Sequence, residues 1–307
     1  MRLLRSSPGP CVVVHTLIAT VRFCMIVLSV CNHKGGTGKT TTAIHVAAAL
    51  GLTGVRTLVI DLDPQGFLTR TLDVEEGNPD RTVAALFDPS VDPQSLAVQH
   101  VSGFDVIPSS NSLTKRMREL NKPTDVLWVR EALQRAELGY DLVLFDTAAA
   151  VTVYSLNALV ASQHVLIPVL PEYQAVVGAE QTYQTTELVE GKLNPMLQSR
   201  TFLLTQVDGR KRIHRTYQQY LREKYTEIVL DNVIRTSTSL AESREGGTTV
   251  FDHDSSARGA RDYANATDEL LRHIQRVEAA GLSPDPGPED GSIDPEDVPL
   301  PDEAMNS

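Results

Sequence analysis

A lysine- and glycine-rich segment near the start of the chain has the residue types that bind phosphate. The segment CNHKGGTGKTT (31–41) follows an apolar run and precedes a helical pattern. Its glycines let backbone N–H groups close around phosphate oxygens, and the helix that follows adds the positive end of its dipole. Lys39 is expected to reach the terminal phosphates, and the Thr40 hydroxyl is expected to ligate Mg²⁺. The segment therefore predicts a phosphate-binding site formed by Lys34, Gly35, Gly36, Thr37, Gly38, Lys39, Thr40 and Thr41.

Three aspartates follow apolar runs of the strand type and could serve this site. Asp61 and Asp63 end the run TLVIDLD, and Asp146 ends DLVLFD. Side chains repeat every two residues along a strand, so Asp61 and Asp63 are expected to point to similar sides. Open α/β sheets bind ligands beyond the carboxyl ends of their strands. The three carboxylates are therefore expected to face the nucleotide, although strand-end aspartates are also common caps of turns and helices.

Apolar runs alternate with helical patterns along most of the chain, which is typical of an α/β fold. We expect a mainly parallel sheet flanked by helices on both faces, of the P-loop NTPase kind. A last amphipathic stretch runs from 256 to 277. One domain is expected over 25–280. Its predicted strands are IVLSV (26–30), TLVIDL (57–62), FDVIP (104–108), DLVLFD (141–146), HVLIPV (164–169) and TFLLTQV (201–207).

The two ends of the chain differ from its body in composition. Residues 1–24 contain three arginines and no acids, and a second methionine, Met25, stands immediately before the first predicted strand. We interpret 1–24 as a disordered N-terminal extension whose apolar stretch, split by Arg22, is too short to span a membrane. Residues 283–307 contain eight acids, no bases and six prolines. We therefore expect 281–307 to be a disordered acidic tail, because it cannot bury enough apolar surface to offset the entropy of ordering.

A basic run contrasts with the formal charge of −11 of the whole chain. The stretch RKRIHRTYQQYLREK (210–224) contains six lysines and arginines and one acid. Such clustering is what nonspecific DNA binding requires, because affinity then comes from release of counterions rather than from reading bases. Tyr217, Leu221 and Tyr225 recur at helical spacing and are predicted to be core residues. The alternative for this run is a solvated basic face of a helix.

Several motifs in one order resemble a known family. The second lysine of KGGTGKT, Lys34, is the mark of a deviant Walker A loop. Together with DLDPQG (61–66), LFDT (144–147), IPVLPEYQAVVGAEQ (167–181), TQVDGR (205–210) and the closing segment from 240, the chain resembles the ParA/Soj family of partition ATPases, within the MinD/ParA superfamily. The resemblance covers nearly all of 25–276.

The resemblance implies a role for each of these residues. Family members form a homodimer that sandwiches ATP, and the signature lysine, here Lys34, reaches the partner's phosphates. Asp63 is then expected to orient the attacking water, while Asp61 and Asp146 support the Mg²⁺ shell with Thr40. The expected catalytic residues are therefore Lys34, Lys39 and Asp63. Family members bind DNA through basic residues in this C-terminal region, so the expected DNA contacts are Arg210, Lys211, Arg212 and Arg215.

The chain also departs from the family pattern at three places. The family usually continues the Walker B aspartate as DTPP, whereas this chain has Ala148 and Ala149 after Thr147. Phe67 stands where the family commonly has Asn after DPQG. In IRTSTSLAES (234–243), only Arg235 remains of the arginines that many members carry. The first departure leaves open whether switching and hydrolysis follow the family.

The function that these features predict is an ATP-dependent switch for chromosome or plasmid partitioning in the cytoplasm, associated with the nucleoid. It would dimerise with ATP, bind DNA nonspecifically, and hydrolyse ATP when a ParB-like partner stimulates it. One alternative is a MinD-like membrane-cycling ATPase, which needs a basic amphipathic C-terminal helix, whereas this terminus is acidic. A second is a cargo-positioning ATPase. A third, of another class, is a nucleotide-binding scaffold that does not hydrolyse ATP.

Overall fold

The computed structural model describes residues 25–75, 82–88, 90–96, 98–136 and 138–281. The expected disordered segments, 1–24 and 281–307, lie outside these residues except for Gly281, which follows the last helix. Among the described residues, one sheet of seven strands has the order β3-β4-β2-β5-β1-β6-β7. The strands are β1 Ile26–Val30, β2 Thr57–Asp61, β3 Gln99–Val101, β4 Phe104–Ile107, β5 Leu142–Asp146, β6 His164–Val169 and β7 Ser199–Leu204.

Six of these strands are parallel, and only β3 pairs antiparallel with its neighbour β4. All six strands that the sequence predicts are present, and their ends differ from the predicted ends by at most three residues. The sequence interpretation missed β3, a three-residue edge strand whose side chains are half-buried or exposed.

Helices cover both faces of the sheet, as predicted. The described helices are α1 Lys39–Leu52, α2 Phe67–Thr71, α3 Ser112–Arg116, α4 Trp128–Arg135, α5 Val153–Ala161, α6 Tyr173–Lys192, α7 Arg212–Lys224, α8 Thr238–Glu245, α9 Val250–Asp254 and α10 Arg258–Ala280. Side chains on one face of the central strands, such as Leu28 and Leu144, pack with α1 and α10. Their neighbours in sequence, such as Val27 and Val143, pack on the other face with α4 and α5, and α6 and α7 continue that layer over β6 and β7.

The strand order determines where a ligand can be bound. β1 lies between β5 and β6, and Val30 at its carboxyl end stands in register with Asp146 on β5. On the far side of β5, Asp61 of β2 is also in register with Asp146. The carboxyl ends of these strands therefore bring the lysine- and glycine-rich segment and the aspartates together at one edge of the sheet. None of the described helices is both long and apolar enough to cross a bilayer.

Candidate nucleotide-binding and catalytic site

The loop between β1 and α1 has the backbone shape of a phosphate-binding loop. Gly36 and Gly38 have φ angles of 80° and 88°, in the left-handed region that residues with side chains rarely adopt. Helix α1 then begins at Lys39, and no side chain caps its first turn. Because the first N–H groups of a helix have no partner within it, this end of α1 can bind an anion.

The two lysines of the loop point to different places. The Lys39 side chain is buried, and its Nζ lies 3.1 Å from the Lys34 carbonyl oxygen, across the loop. Burial lowers the pKa of Lys39, while the nearby charges of Asp146 and Asp63 act in the opposite direction. Lys34 instead donates from Nζ to the Gln174 side chain on α6, at 3.1 Å. Its ammonium group is therefore available on the outside of the loop.

Asp146 combines a hydrogen-bonded oxygen with a buried oxygen that has no partner. Its Oδ2 accepts a hydrogen bond from the Thr40 hydroxyl at 2.8 Å. Its Oδ1 is buried and has no hydrogen-bond partner among the described residues. Burial, with the neighbouring charges of Asp61 and Asp63, raises the pKa of Asp146 well above its usual value. A divalent cation would offset this clustering of negative charge, so Thr40 and Asp146 have the chemistry to hold hydrated Mg²⁺.

Asp61 differs from the sequence expectation. Strand β2 ends at Asp61, which is fully buried, and the alternation of side chains does not continue to Asp63, which lines the cleft. Asp61 Oδ2 accepts hydrogen bonds from the amide and hydroxyl of Thr69, and Oδ1 accepts one from the Asp63 amide. Burial raises the pKa of Asp61 to about 6. Because each of its oxygens already has a donor from the chain, the geometry favours Asp61 as an anchor of the loop 62–66 over its expected place in the Mg²⁺ shell.

A cleft of about 620 Å³ connects the phosphate loop with the residues that follow β2 and β7. Asp63 and Phe67 line one side of it, and the segment 234–237 lines the other. The sequence interpretation assigned no role to Thr205 and Gln206, which extend beyond the end of β7. Thr205 Oγ1 donates to the Thr37 carbonyl at 2.7 Å, and Gln206 Nε2 donates to the Gly36 carbonyl at 2.7 Å. Their place after a parallel strand is the signal that could have identified them as part of the site.

The positions where the chain departs from the family pattern also border this cleft. Ala149 and Phe67 line it, and the Phe67 side chain is 53% exposed, with the Arg70 guanidinium 4.8 Å from the centre of its ring. Arg235 lines the opposite side and is held by both oxygens of Asp262 on α10. The arginine that remains from IRTSTSLAES is therefore already paired.

The basic run comprises the whole of α7 and the two residues before it. Arg210 pairs with Asp208 at 2.8 Å, and Lys211 pairs with Glu172 at 3.1 Å. Arg212 and Arg215 are exposed, and neither has a carboxylate within 4 Å among the described residues. The side chains of Tyr217, Leu221 and Tyr225 are buried, which confirms their prediction as core residues. The fold therefore neutralises part of the charge that the linear sequence displays.

Comparison with known proteins identifies a matching family and relatives that align over most of their length. The model of the AAA_31 family, described as an AAA domain, matches residues 25–199. The chromosome-partitioning ATPase Soj of Thermus thermophilus is 37% identical over 250 residues, which cover 81% of this chain and 97% of that protein. The sporulation initiation inhibitor protein Soj of Bacillus subtilis is 32% identical over 247 residues, covering 80% of this chain and 97% of that protein.

A solved structure extends the similarity to the fold. Cobyrinic acid a,c-diamide synthase from Mycobacterium smegmatis, with bound ADP and magnesium, is 28% identical, has a TM-score of 0.70, and covers 85% of this chain and 98% of that chain. The similarities to these three proteins therefore extend over nearly their full length and over at least 80% of this chain.

Proposed function

Because the chain belongs to the Soj/ParA family of chromosome-partitioning ATPases, we propose that it is a Mg²⁺-dependent ATPase that partitions a chromosome or plasmid. ATP drives two copies together, the dimer binds DNA nonspecifically, and a ParB-like partner stimulates hydrolysis. The proposed place of action is the cytoplasm, on the nucleoid. The cofactors ATP and Mg²⁺ are supported by the structure of the related synthase, which contains ADP and magnesium.

One observation carries the nucleotide part of this proposal. The buried Oδ1 of Asp146 has no partner among the described residues and lies on a carboxylate whose other oxygen accepts from Thr40, the residue after the loop lysine. A buried carboxylate oxygen left without a donor costs free energy of about 1–3 kcal/mol. The hydration shell of Mg²⁺ at the nucleotide phosphates would supply the donor. With nucleotide bound, Asp146 Oδ1 would therefore accept a hydrogen bond from a Mg²⁺-bound water.

The chain's own residues then provide binding and orientation. Amides of the loop from Gly35 to Thr41 and the Lys39 ammonium hold the phosphates, and when bound, Mg²⁺ neutralises charge on the β- and γ-phosphate oxygens. Asp63 accepts a hydrogen bond from the attacking water and orients it towards the γ-phosphorus. As the water oxygen bonds to the γ-phosphorus, the bond from that phosphorus to the β,γ-bridging oxygen breaks and its electron pair stays on ADP. The protons of the water remain on inorganic phosphate or pass to solvent, and both products leave.

Lys34 makes hydrolysis depend on the dimer in this proposal. Its ammonium lies outside its own loop, on Gln174, where a second copy could receive it. Positive charge delivered to the partner's phosphates stabilises the charge that develops during phosphoryl transfer. In the alternative, a scaffold that does not hydrolyse ATP, Lys34 would have no catalytic role. Measuring ATP turnover distinguishes the scaffold from the proposed ATPase.

Two variants test the proposal against this alternative. Lys39→Ala is expected to abolish ATP binding, measured by calorimetry, because the loop keeps its amides but loses its charge. Asp63→Ala is expected to bind ATP and Mg²⁺ as the wild type does while hydrolysis falls about 100-fold or more, as loss of a catalytic positioning group does. This variant should then remain a dimer on DNA.

Three results contradict the proposal. Wild-type protein that binds ATP but never turns it over, with DNA and partner present, supports the scaffold. Asp63→Ala that hydrolyses at the wild-type rate removes the assigned role of Asp63. Recruitment by lipid vesicles rather than DNA in the presence of ATP supports a membrane-cycling ATPase of the MinD kind.

A further inference from the structure

The loop that carries Asp63 is held at both ends by buried side chains. It runs from the end of β2 to the start of α2 and turns at Gly66, whose φ is 58°. Within the loop, the Asp63 carboxylate accepts from the Gln65 amide at 2.9 Å, and its carbonyl accepts from the Gly66 amide at 2.8 Å. These local contacts shape the turn but do not attach it to the rest of the protein.

Two hydroxyl groups make that attachment. The Thr69 hydroxyl donates to Asp61 Oδ2 at 2.7 Å and accepts from the Ser109 amide at 2.8 Å. The Ser109 hydroxyl in turn donates to the Asp63 carbonyl at 2.6 Å. A chain of hydrogen bonds therefore connects the carboxylate of Asp61 to the backbone of Asp63 through residues from α2 and from the segment after β4.

The three side chains that form this chain of hydrogen bonds are buried, whereas Asp63 at its end is half-buried. Asp61, Thr69 and Ser109 are 0%, 3% and 2% exposed. A buried hydroxyl cannot replace a lost partner with solvent, so removing one group leaves its neighbour unsatisfied. Gly66 lies beside both side chains, because a Cβ added to it would make ordinary van der Waals contacts of 3.5 Å with the Ser109 Cβ and 3.9 Å with the Thr69 Cβ. The hydrogen bonds through Thr69 and Ser109 therefore restrict the backbone at Asp63.

We propose that Thr69 and Ser109 are positioning residues that hold the Asp63 loop in the geometry that hydrolysis requires. This inference rests on the proposed function, in which Asp63 orients the attacking water. Neither hydroxyl lines the cleft, so both act through Asp63 and not on the nucleotide. A displacement of about 1 Å at a catalytic group can lower the rate 100-fold. Loosening the loop should therefore affect turnover and leave nucleotide binding to Lys39 and Thr40.

The experiment compares hydroxyl removal with hydroxyl retention at the same position. Thr69→Val removes the hydroxyl with little change of shape, whereas Thr69→Ser retains it. Ser109→Ala removes the second hydroxyl. Ser110→Ala is the matched control, because the Ser110 hydroxyl contacts Ser112 and not the Asp63 loop. Thr69→Val and Ser109→Ala are expected to lower kcat at least tenfold with the Kd for ATP within twofold, whereas Thr69→Ser and Ser110→Ala remain within threefold of the wild-type kcat.

A second measurement does not depend on hydrolysis. Hydrogen exchange of the full chain with ATP and Mg²⁺ should become at least tenfold faster over 62–66 in Thr69→Val and Ser109→Ala, while the amides of 35–41 keep their protection. If exchange over 62–66 is unchanged in both variants, or if 35–41 loosens equally, the proposal is overturned. An unchanged kcat in both variants also overturns it when the wild type hydrolyses ATP. A wild type without turnover refutes the proposed function instead, and exchange still decides whether the two hydroxyls hold the loop.

Discussion

The arginines that have no carboxylate partner among the described residues should carry the salt dependence of DNA binding. Arg215 donates to the Gly209 carbonyl, which leaves its charge without a counter-charge among these residues. Of the six basic residues in 210–224, four face a carboxylate, and these are Arg210, Lys211, Arg222 and Lys224. Arg212 and Arg215 face none among the described residues. Each phosphate contact contributes about 0.9 to the slope of log affinity against log salt, so Arg212→Ala with Arg215→Ala should lower that slope by about 1.8 per protomer. Between about 50 and 200 mM salt, this difference amounts to about 12-fold in affinity.

A matched variant separates this expectation from a general effect of charge. Arg210→Ala with Lys211→Ala removes the same two charges, but each of these residues must leave its carboxylate before it can contact a phosphate. We expect it to lose less than half as much slope. The assay is fluorescence anisotropy with a labelled duplex at a series of salt concentrations, with ATP, Mg²⁺ and the Asp63→Ala background to prevent turnover. Equal loss of slope in the two double variants would refute the reasoning, and no loss in either would show that DNA binds elsewhere.

Two further predictions concern the packing around the loop. Gly178→Ala should weaken ATP-dependent dimerisation about tenfold, measured by analytical ultracentrifugation, because its new Cβ would lie 2.8 Å from the Lys34 Cβ and displace that lysine. Gly191→Ala on the same helix has open space around it. It should leave dimerisation unchanged and raise the free energy of unfolding by about 0.5–1 kcal/mol. Burial lowers the pKa of His45 to about 4, below the ordinary 6.5 of the unfolded chain, so its contribution to stability is present above pH 6.5 and is lost as pH falls towards 4. When the pH is lowered from 7 to 4.5, the free energy of unfolding measured in urea should therefore fall by about 2–3 kcal/mol less for His45→Gln than for the wild type. An equal fall in both proteins would contradict a neutral buried His45.

Strong local patterns were sufficient to predict most of the fold. Each of the six parallel strands contains an apolar run that is visible in sequence, and all of their residues except Asp105 are buried. The edge strand β3 has only three residues and no clear pattern. Its signal was the turn that follows, since Ser102 and Gly103 both have positive φ and form a two-residue connection to β4. A Ser-Gly pair preceded by a strand of only three residues was too weak a signal to be recognised.

Contacts between distant segments account for what the sequence could not show. The carboxylate that pairs with Arg210 is only two residues away, at Asp208, but the one that pairs with Lys211 comes from Glu172, immediately before α6. Likewise, the type and position of Asp61 predicted a ligand near magnesium, but in the folded chain its carboxylate accepts hydrogen bonds from Thr69, eight residues away and brought back by a turn. Local spacing identifies which residues can do chemistry, whereas hydrogen bonds formed only in the folded chain determine which of them are free to do it.

The central position of β1 in the sheet also has a consequence for synthesis on the ribosome. The loop lysine and its glycines emerge early, but the strands on either side of β1 are made much later, and Thr147, which bonds to the Val30 carbonyl, is 117 residues further along. Thr205 and Gln206, whose side chains donate hydrogen bonds to the loop, are synthesised later still, about 170 residues after it. A nascent chain that ends before β7 therefore has the nucleotide motif without its site. The loop therefore gains these contacts only once the chain through Gln206 has left the exit tunnel, so folding up to that point proceeds without help from ATP.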